Sequence, residues 1–144
     1  MIRLARSNDV DSMFDVRTSV SENHMSLEEL ARVGITNETV RAMLAGPSCA
    51  WVAESDGEQV VGFCIADSAT ASVFALFVRP THQRKGIGRA LMAEAEQWLC
   101  ARGCRIASLV TSGPAEHFYQ RLGWTPNDLQ SDGQKRFTKS LGTS

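Results

Sequence analysis

The stretch Ser72-Val73-Phe74-Ala75-Leu76-Phe77-Val78 is apolar on both alternating faces, and no other feature limits the fold so strongly. A strand of that kind has to be covered above and below, so it belongs in the middle of a sheet with helices packed on it. It ends at Arg79-Pro80, and a loop holding Gly86 and Gly88 leads into a helix with Ile87, Leu91, Ala95, Trp98 and Leu99 along one stripe. Glu94, Glu96 and Gln97 turn mostly elsewhere and Gly103 supplies a stop, so this helix lays its apolar side on the sheet.

The other segments arrange themselves around that unit. Residues 2–5 read as a short strand, and Ser7-Asn8-Asp9 caps a helix carrying Val10, Met13, Phe14, Val16 and Val20 at roughly helical spacing. Ser26-Leu27-Glu28-Glu29 has the form of a capping box; Thr36-Asn37-Glu38-Thr39 opens a further helix through Val40, Met43 and Leu44 that Gly46-Pro47 stops. Residues 49–53 and 59–65 flank Asp56-Gly57 as the arms of a β-hairpin do. After the glycine loop and its helix come a strand at 105–110, a helix opened by Ser112-Gly113-Pro114 and closed by Gly123, and a last strand at 135–141. The polar run 127–133 is expected to be a flexible loop. The order β, helices, ββ, β, α, β, α, then β or ββ predicts an α/β (α+β) fold on a mixed sheet, and 144 residues fit one domain over 1–144.

A Gly-x-Gly pair alone means little. Between a strand and a helix it means more, because the first N–H groups of the helix have no partner and point outward with the positive end of the dipole. Such a place binds anions, glycine lets a phosphate approach the backbone, and Arg84, Lys85 and Arg89 add charge. The chain has no G-x-x-x-x-G-K-[ST] loop, and its first strand does not run into G-x-G-x-x-G, so the two common nucleotide readings fail. The segment Gln83-Arg84-Lys85-Gly86-Ile87-Gly88 instead resembles the [QR]-x-x-G-x-[GA] loop of the GNAT superfamily of N-acetyltransferases. Downstream, Ala115, Phe118, Tyr119, Leu122, Gly123 and Trp124 are similar to that family's A-x-x-F-Y-x-x-x-G-[FW] segment. The resemblance covers residues 51–124 well and the helical first third only in layout.

The resemblance implies a mostly antiparallel central sheet of about six or seven strands with helices on both faces, and acetyl-CoA as the donor. It implies that Gln83, Arg84, Lys85, Gly86, Ile87, Gly88 and Arg89 hold the pyrophosphate, with backbone N–H groups as donors. The backbone of Phe77 and Val78 would pair with the pantetheine arm, where the central strand splays from the strand at Ile106. Tyr119, the one tyrosine of the chain, stands at the general-acid position toward the CoA thiolate. A tyrosine near pKa 10 protonates a thiolate whose acid is near 8.5 only at a cost of about 2 kcal/mol, so a hydrogen bond to the thiolate is expected to matter more than proton transfer. Ser112 stands where many members have an asparagine that contacts the pantetheine or the thiol. The central strand lacks the catalytic carboxylate that some members carry there, so Glu22 and His24, in the segment that lines the acceptor site, become the candidate bases. The acceptor is expected to be a primary amine of a small molecule or of a peptide or protein. Arg17, Glu22, Glu28 and Glu29, the charged groups near its site, are compatible with many amines. A homodimer is an expectation that the resemblance leaves open.

Charge and cysteines set the remaining limits. A net charge of −1 gives no long-range attraction for nucleic acid, and three cations on one loop lack interleaved aromatics, so no nucleic-acid partner is expected. No run of about 18 apolar residues spans a membrane and the first residues are too charged for a signal segment, which predicts a cytoplasmic protein without a membrane partner. Cys49, Cys64, Cys100 and Cys104 form no C-x-x-C pair, and His24, His82 and His117 show no ligand spacing beside them, so no metal is expected. Cys49 and Cys64 read as buried thiols. A non-catalytic acyl-CoA-binding module is the alternative that the missing carboxylate supports.

Overall fold

The computed structural model describes residues 1–21, 24–57, 59–129 and 133–142. In chain order the elements are β1 (Ile2–Leu4), α1 (Val10–Ser19), α2 (Leu27–Arg32), α3 (Asn37–Ala45), β2 (Ser48–Glu54), β3 (Val60–Asp67), β4 (Ser72–Val78), α4 (Ile87–Ala101), β5 (Ile106–Thr111), α5 (Ala115–Arg121), β6 (Thr125–Leu129) and β7 (Lys135–Ser140). The seven strands form one sheet in the order β1-β2-β3-β4-β5-β7-β6, with β4 at its centre. Every neighbouring pair is antiparallel except β4 and β5, which run parallel.

The helix starts follow their caps. Ser26 Oγ accepts the Glu29 N–H at 3.2 Å while the Glu29 carboxylate accepts the Ser26 N–H at 3.0 Å, so α2 opens with both groups satisfied. Thr36 and Thr39 exchange the same two bonds at 3.2 and 2.8 Å at the head of α3. At the other edge, Arg3 on β1 grips Asp9 through two bonds of 2.8 and 2.9 Å and reaches Glu54 on β2. That bidentate contact holds the Asp9 carboxyl below its usual range and fixes where α1 begins.

Two apolar layers sandwich the sheet. Leu91, Met92, Ala95 and Leu99 of α4 and Tyr119 of α5 pack with Trp124 on Cys64, Val73, Ala107, Leu109 and Phe137. On the opposite face Val10, Met13 and Val16 of α1 and Val40 of α3 cover Ala50, Val52, Phe63 and Ile65. Glu96 of α4 accepts from Trp124 Nε1 at 3.2 Å and from Lys139 Nζ at 2.8 Å, and the same Nζ donates to the Leu122 carbonyl at 2.7 Å. These bonds clamp the end of α5, and with it Tyr119, between α4 and β7.

Two expectations need correction. Residues 127–129 belong to β6, which pairs with β7, because the bend after Trp124 brings this polar segment alongside β7; residues 130–132 lie outside the described residues. Cys49 is half-buried on a strand whose neighbours are covered, whereas Cys64 is buried as expected. Among the described residues no helix is long and apolar enough to cross a membrane.

Candidate active site

β4 and β5 touch at one register pair, Ser72 with Ser108, and the Ser108 N–H donates to the Ala71 carbonyl at 2.9 Å. Beyond that point the two strands part, and the gap is a cleft of about 680 Å³ lined by Arg17, Leu76, Val78, Leu109, Thr111 and Tyr119 among others. A parallel pair that separates after one bridge leaves its backbone groups without a ladder.

Register tells which groups those are. Phe63 opposes Phe77, Ile65 opposes Ala75, and the Arg79 N–H donates to the Val61 carbonyl at 2.8 Å. An antiparallel ladder alternates, so Ala75, Phe77 and Arg79 turn their backbone toward β3, and Leu76 and Val78 turn theirs toward the cleft. Gln83 Nε2 donates to the Val78 carbonyl at 3.0 Å, which ties the glycine loop to the strand end. The Phe77 backbone, expected to meet the pantetheine, is thus turned toward β3, and the backbone open to the cleft beside Val78 is that of Leu76. The Phe77 side chain lies on the α1 face, where the Arg17 guanidinium sits 4.2 Å above its ring centre.

The glycine loop begins at Gln83, which lines the cleft beside Val78, whereas none of Arg84 to Arg89 is among the lining residues. Arg84 and Gly86 take left-handed φ values of +65° and +84°, which bend the chain into the head of α4. Among the described residues, no N–H from Arg84 to Arg89 donates a well-formed hydrogen bond to another backbone group. The other α-helices each place an acidic residue in the first turn: Asp11, Glu28 with Glu29, Glu38 and Glu116. The 15-residue α4 has none, has no side-chain cap, and carries Arg89 there instead. A cation beside the positive end of a long helix is unfavourable in isolation and favourable once an anion sits between them. Exposed Arg84, Lys85 and Arg89 supply the charge, while Ile87 points inward against the core. Gly88 is constrained by packing, since a Cβ there would stand 3.2 Å from the Phe118 ring.

Tyr119 lines the cleft while its ring belongs to the core, with centroids 5.1 Å from Phe118, 6.4 Å from Trp124 and 6.5 Å from Phe137. Burial pushes its phenol well above the usual tyrosine value, with Cys64 adding to the shift. His24 is not brought to the cleft: it is exposed, with Nδ1 3.0 Å from the Val20 carbonyl. Glu22, the other candidate base, lies outside the described residues. Ser112 is not among the cleft-lining residues, whereas its neighbour Thr111, 8% exposed, is; β5 ends at Thr111, and Ser112 is the first residue beyond it. No aspartate, glutamate or histidine among the described residues lines the cleft; its charged groups are Arg17 and Arg136.

Residues 46–126, more than half of the chain, match the family model of the acetyltransferase (GNAT) domain. The chain belongs to the GNAT acetyltransferase family. The GNAT match holds the cleft strands, the glycine loop and Tyr119, and leaves α1 to α3 outside. A mycothiol acetyltransferase of Beutenbergia cavernae is 33% identical over 87 residues, 56% of this chain and 29% of that protein. A rice acetyl transferase, GW6a, is 38% identical over 60 residues, 39% of this chain and 14% of that protein. The chain thus matches less than a third of the length of either. Among solved structures, a PaiA N-acetyltransferase of Thermoplasma acidophilum in complex with coenzyme A superposes with a TM-score of 0.82 at 20% identity, covering 97% of this chain and 98% of that one. The ribosomal-protein-S18-alanine N-acetyltransferase of Escherichia coli superposes at 0.77 and 16% identity, covering 100% and 95%. These likenesses establish the GNAT fold over the whole chain.

Proposed function

We propose that the protein moves an acetyl group from acetyl-CoA to the primary amine of a small molecule or of a peptide or protein, within the cleft between β4 and β5. The observation that carries this reading is the alignment of three features along one opening. The acid-free head of α4 follows Gln83, which lines the opening, the unladdered backbone of Leu76 and Val78 runs along the wall, and Tyr119 lies within. A diphosphate on the N–H groups of Arg84 to Arg89 leaves the pantetheine amides to pair with Leu76 and Val78, which delivers the thioester toward Tyr119.

The amine nitrogen attacks the thioester carbonyl, a C–N bond forms, and the C–S bond breaks. Of the protons on the starting ammonium, one is lost to water before attack, one returns to the thiolate, and one stays on the amide. Apolar Phe74 and Phe77 disfavour the ammonium form, so water suffices as the base where the described lining of the cleft offers no carboxylate. Tyr119, with its phenol pushed up by burial, is a poorer acid than free tyrosine and a sound hydrogen-bond donor to the departing sulfur. Its contribution is to stabilise the thiolate until a solvent proton arrives.

The test is release of CoA thiol from acetyl-CoA over a panel of primary amines, with acetylated product counted by mass spectrometry. One thiol per acetylated amine is expected, with no release when the amine is withheld. Micromolar CoA binding without release for any amine would identify an acyl-CoA-binding module instead.

A further inference from the structure

A second, smaller cavity of about 180 Å³ opens between the helical layer and the sheet. Its walls are side chains of α1, α2, α3, β3, β4 and the α2–α3 connection, including Met13, Leu30, Ile35, Val40, Phe63 and Phe74. It meets the cleft at Arg17, Phe74, Ala75 and Phe77, which line both spaces. Among the described residues Arg17 is its one charged lining residue, and that guanidinium lies over the Phe77 ring at the junction. Small-molecule sites generally need about 300 Å³ or more, so this cavity is too small for a whole ligand. An apolar cavity of about 150 Å³ takes a benzene ring. The space is therefore sized for one apolar group belonging to a molecule that sits in the cleft.

We infer that the acceptor is a primary amine bearing a single apolar group, alkyl or aryl and no larger than about a phenylethyl chain, which enters this cavity while the amine faces the thioester. The inference rests on the acetyl-transfer reading above and names its substrate class. A second ammonium is costly to bury in so apolar a space, so diamines and polyamines are poor substrates. Phe74, 45% exposed on the central strand, is explained by the same arrangement: its ring becomes covered when the apolar group arrives.

The test is kcat/KM for ethylamine, propylamine, butylamine, pentylamine and phenethylamine, with spermidine as the charged comparison. Burial of a methylene in such a cavity raises kcat/KM about fourfold per carbon until the space is full. Phenethylamine should exceed ethylamine by at least tenfold and spermidine should be the poorest. Ile35→Phe, at the half-buried rim, should lower the ratio of phenethylamine to ethylamine at least tenfold. A flat series, or spermidine preferred, overturns the inference and leaves acetyl transfer standing. If no amine releases thiol, the acetyl-transfer reading fails, and phenethylamine binding to the CoA-loaded protein, followed by NMR shifts, decides the cavity. Shifts at Ile35 and Val40 that saturate in the millimolar range or below support it, and none overturns it. Should Ile35→Phe fail to fold, the amine series on the unaltered protein decides by itself.

Discussion

Gly86 and Gly88 stand two residues apart and are glycines for different reasons. Gly86 has a left-handed φ of +84° with open space around its absent side chain, so a substituent there costs backbone strain of about 1 kcal/mol and would intrude on the proposed diphosphate. Gly88 has ordinary backbone, but a Cβ would press on Phe118, whose ring meets Tyr119 edge-on. Gly86→Val should weaken CoA binding at least tenfold by calorimetry while lowering the unfolding midpoint little; unchanged affinity would remove the diphosphate from this loop. Gly88→Val should also lower kcat, because it displaces the ring on which Tyr119 rests. Tyr119→Phe should cut kcat about 100-fold with CoA affinity within about twofold, the range of a positioned acid or hydrogen-bond donor. A rate within threefold of the parent would show that the sulfur is stabilised elsewhere. Since burial raises the phenol, Tyr119 stays protonated through neutral pH, and no alkaline fall of kcat below its ordinary value of 10.0 should trace to it.

At the scale of elements, β1 and α1 hang on Arg3 and Asp9. The folded Asp9 carboxyl titrates below its ordinary value of 3.8, so the stability it gives is present above that pH and is lost as pH falls through the lower folded value. Asp9→Asn should lower the urea unfolding free energy by about 2 kcal/mol at pH 7, and by progressively less as the pH is taken below 3.8. A loss that stays constant as the pH falls through the acid range would show that the carboxylate charge is irrelevant. The same scale shows what was legible in the sequence. β4 and α4 were legible because an apolar run and a 3.6-residue stripe leave one arrangement each. The choice between Phe77 and Leu76 was hidden, because a strand apolar on both faces gives no parity and a one-residue slip exchanges every backbone direction. β6 was missed because its polar residues gain strand form from β7 rather than from local preference. Arg17 was visible as a charge, but its place over Phe77 depends on how α1 crosses the sheet.

The whole molecule is one sheet divided functionally at its centre. β1 to β4 carry α1 to α3 and the small apolar cavity, β5 to β7 carry Tyr119 at their flank, and the cleft lies where the two halves separate. Hydrogen exchange followed residue by residue with and without CoA reads that division directly. With the donor between β4 and β5, the amides of Leu76 and Val78 should exchange quickly in the free protein and at least tenfold more slowly with CoA. The Phe77 amide, bonded to β3, should be slow in both. Protection of Phe77 alone, or no change at Leu76 and Val78 on saturation with CoA, would contradict a donor site in the cleft.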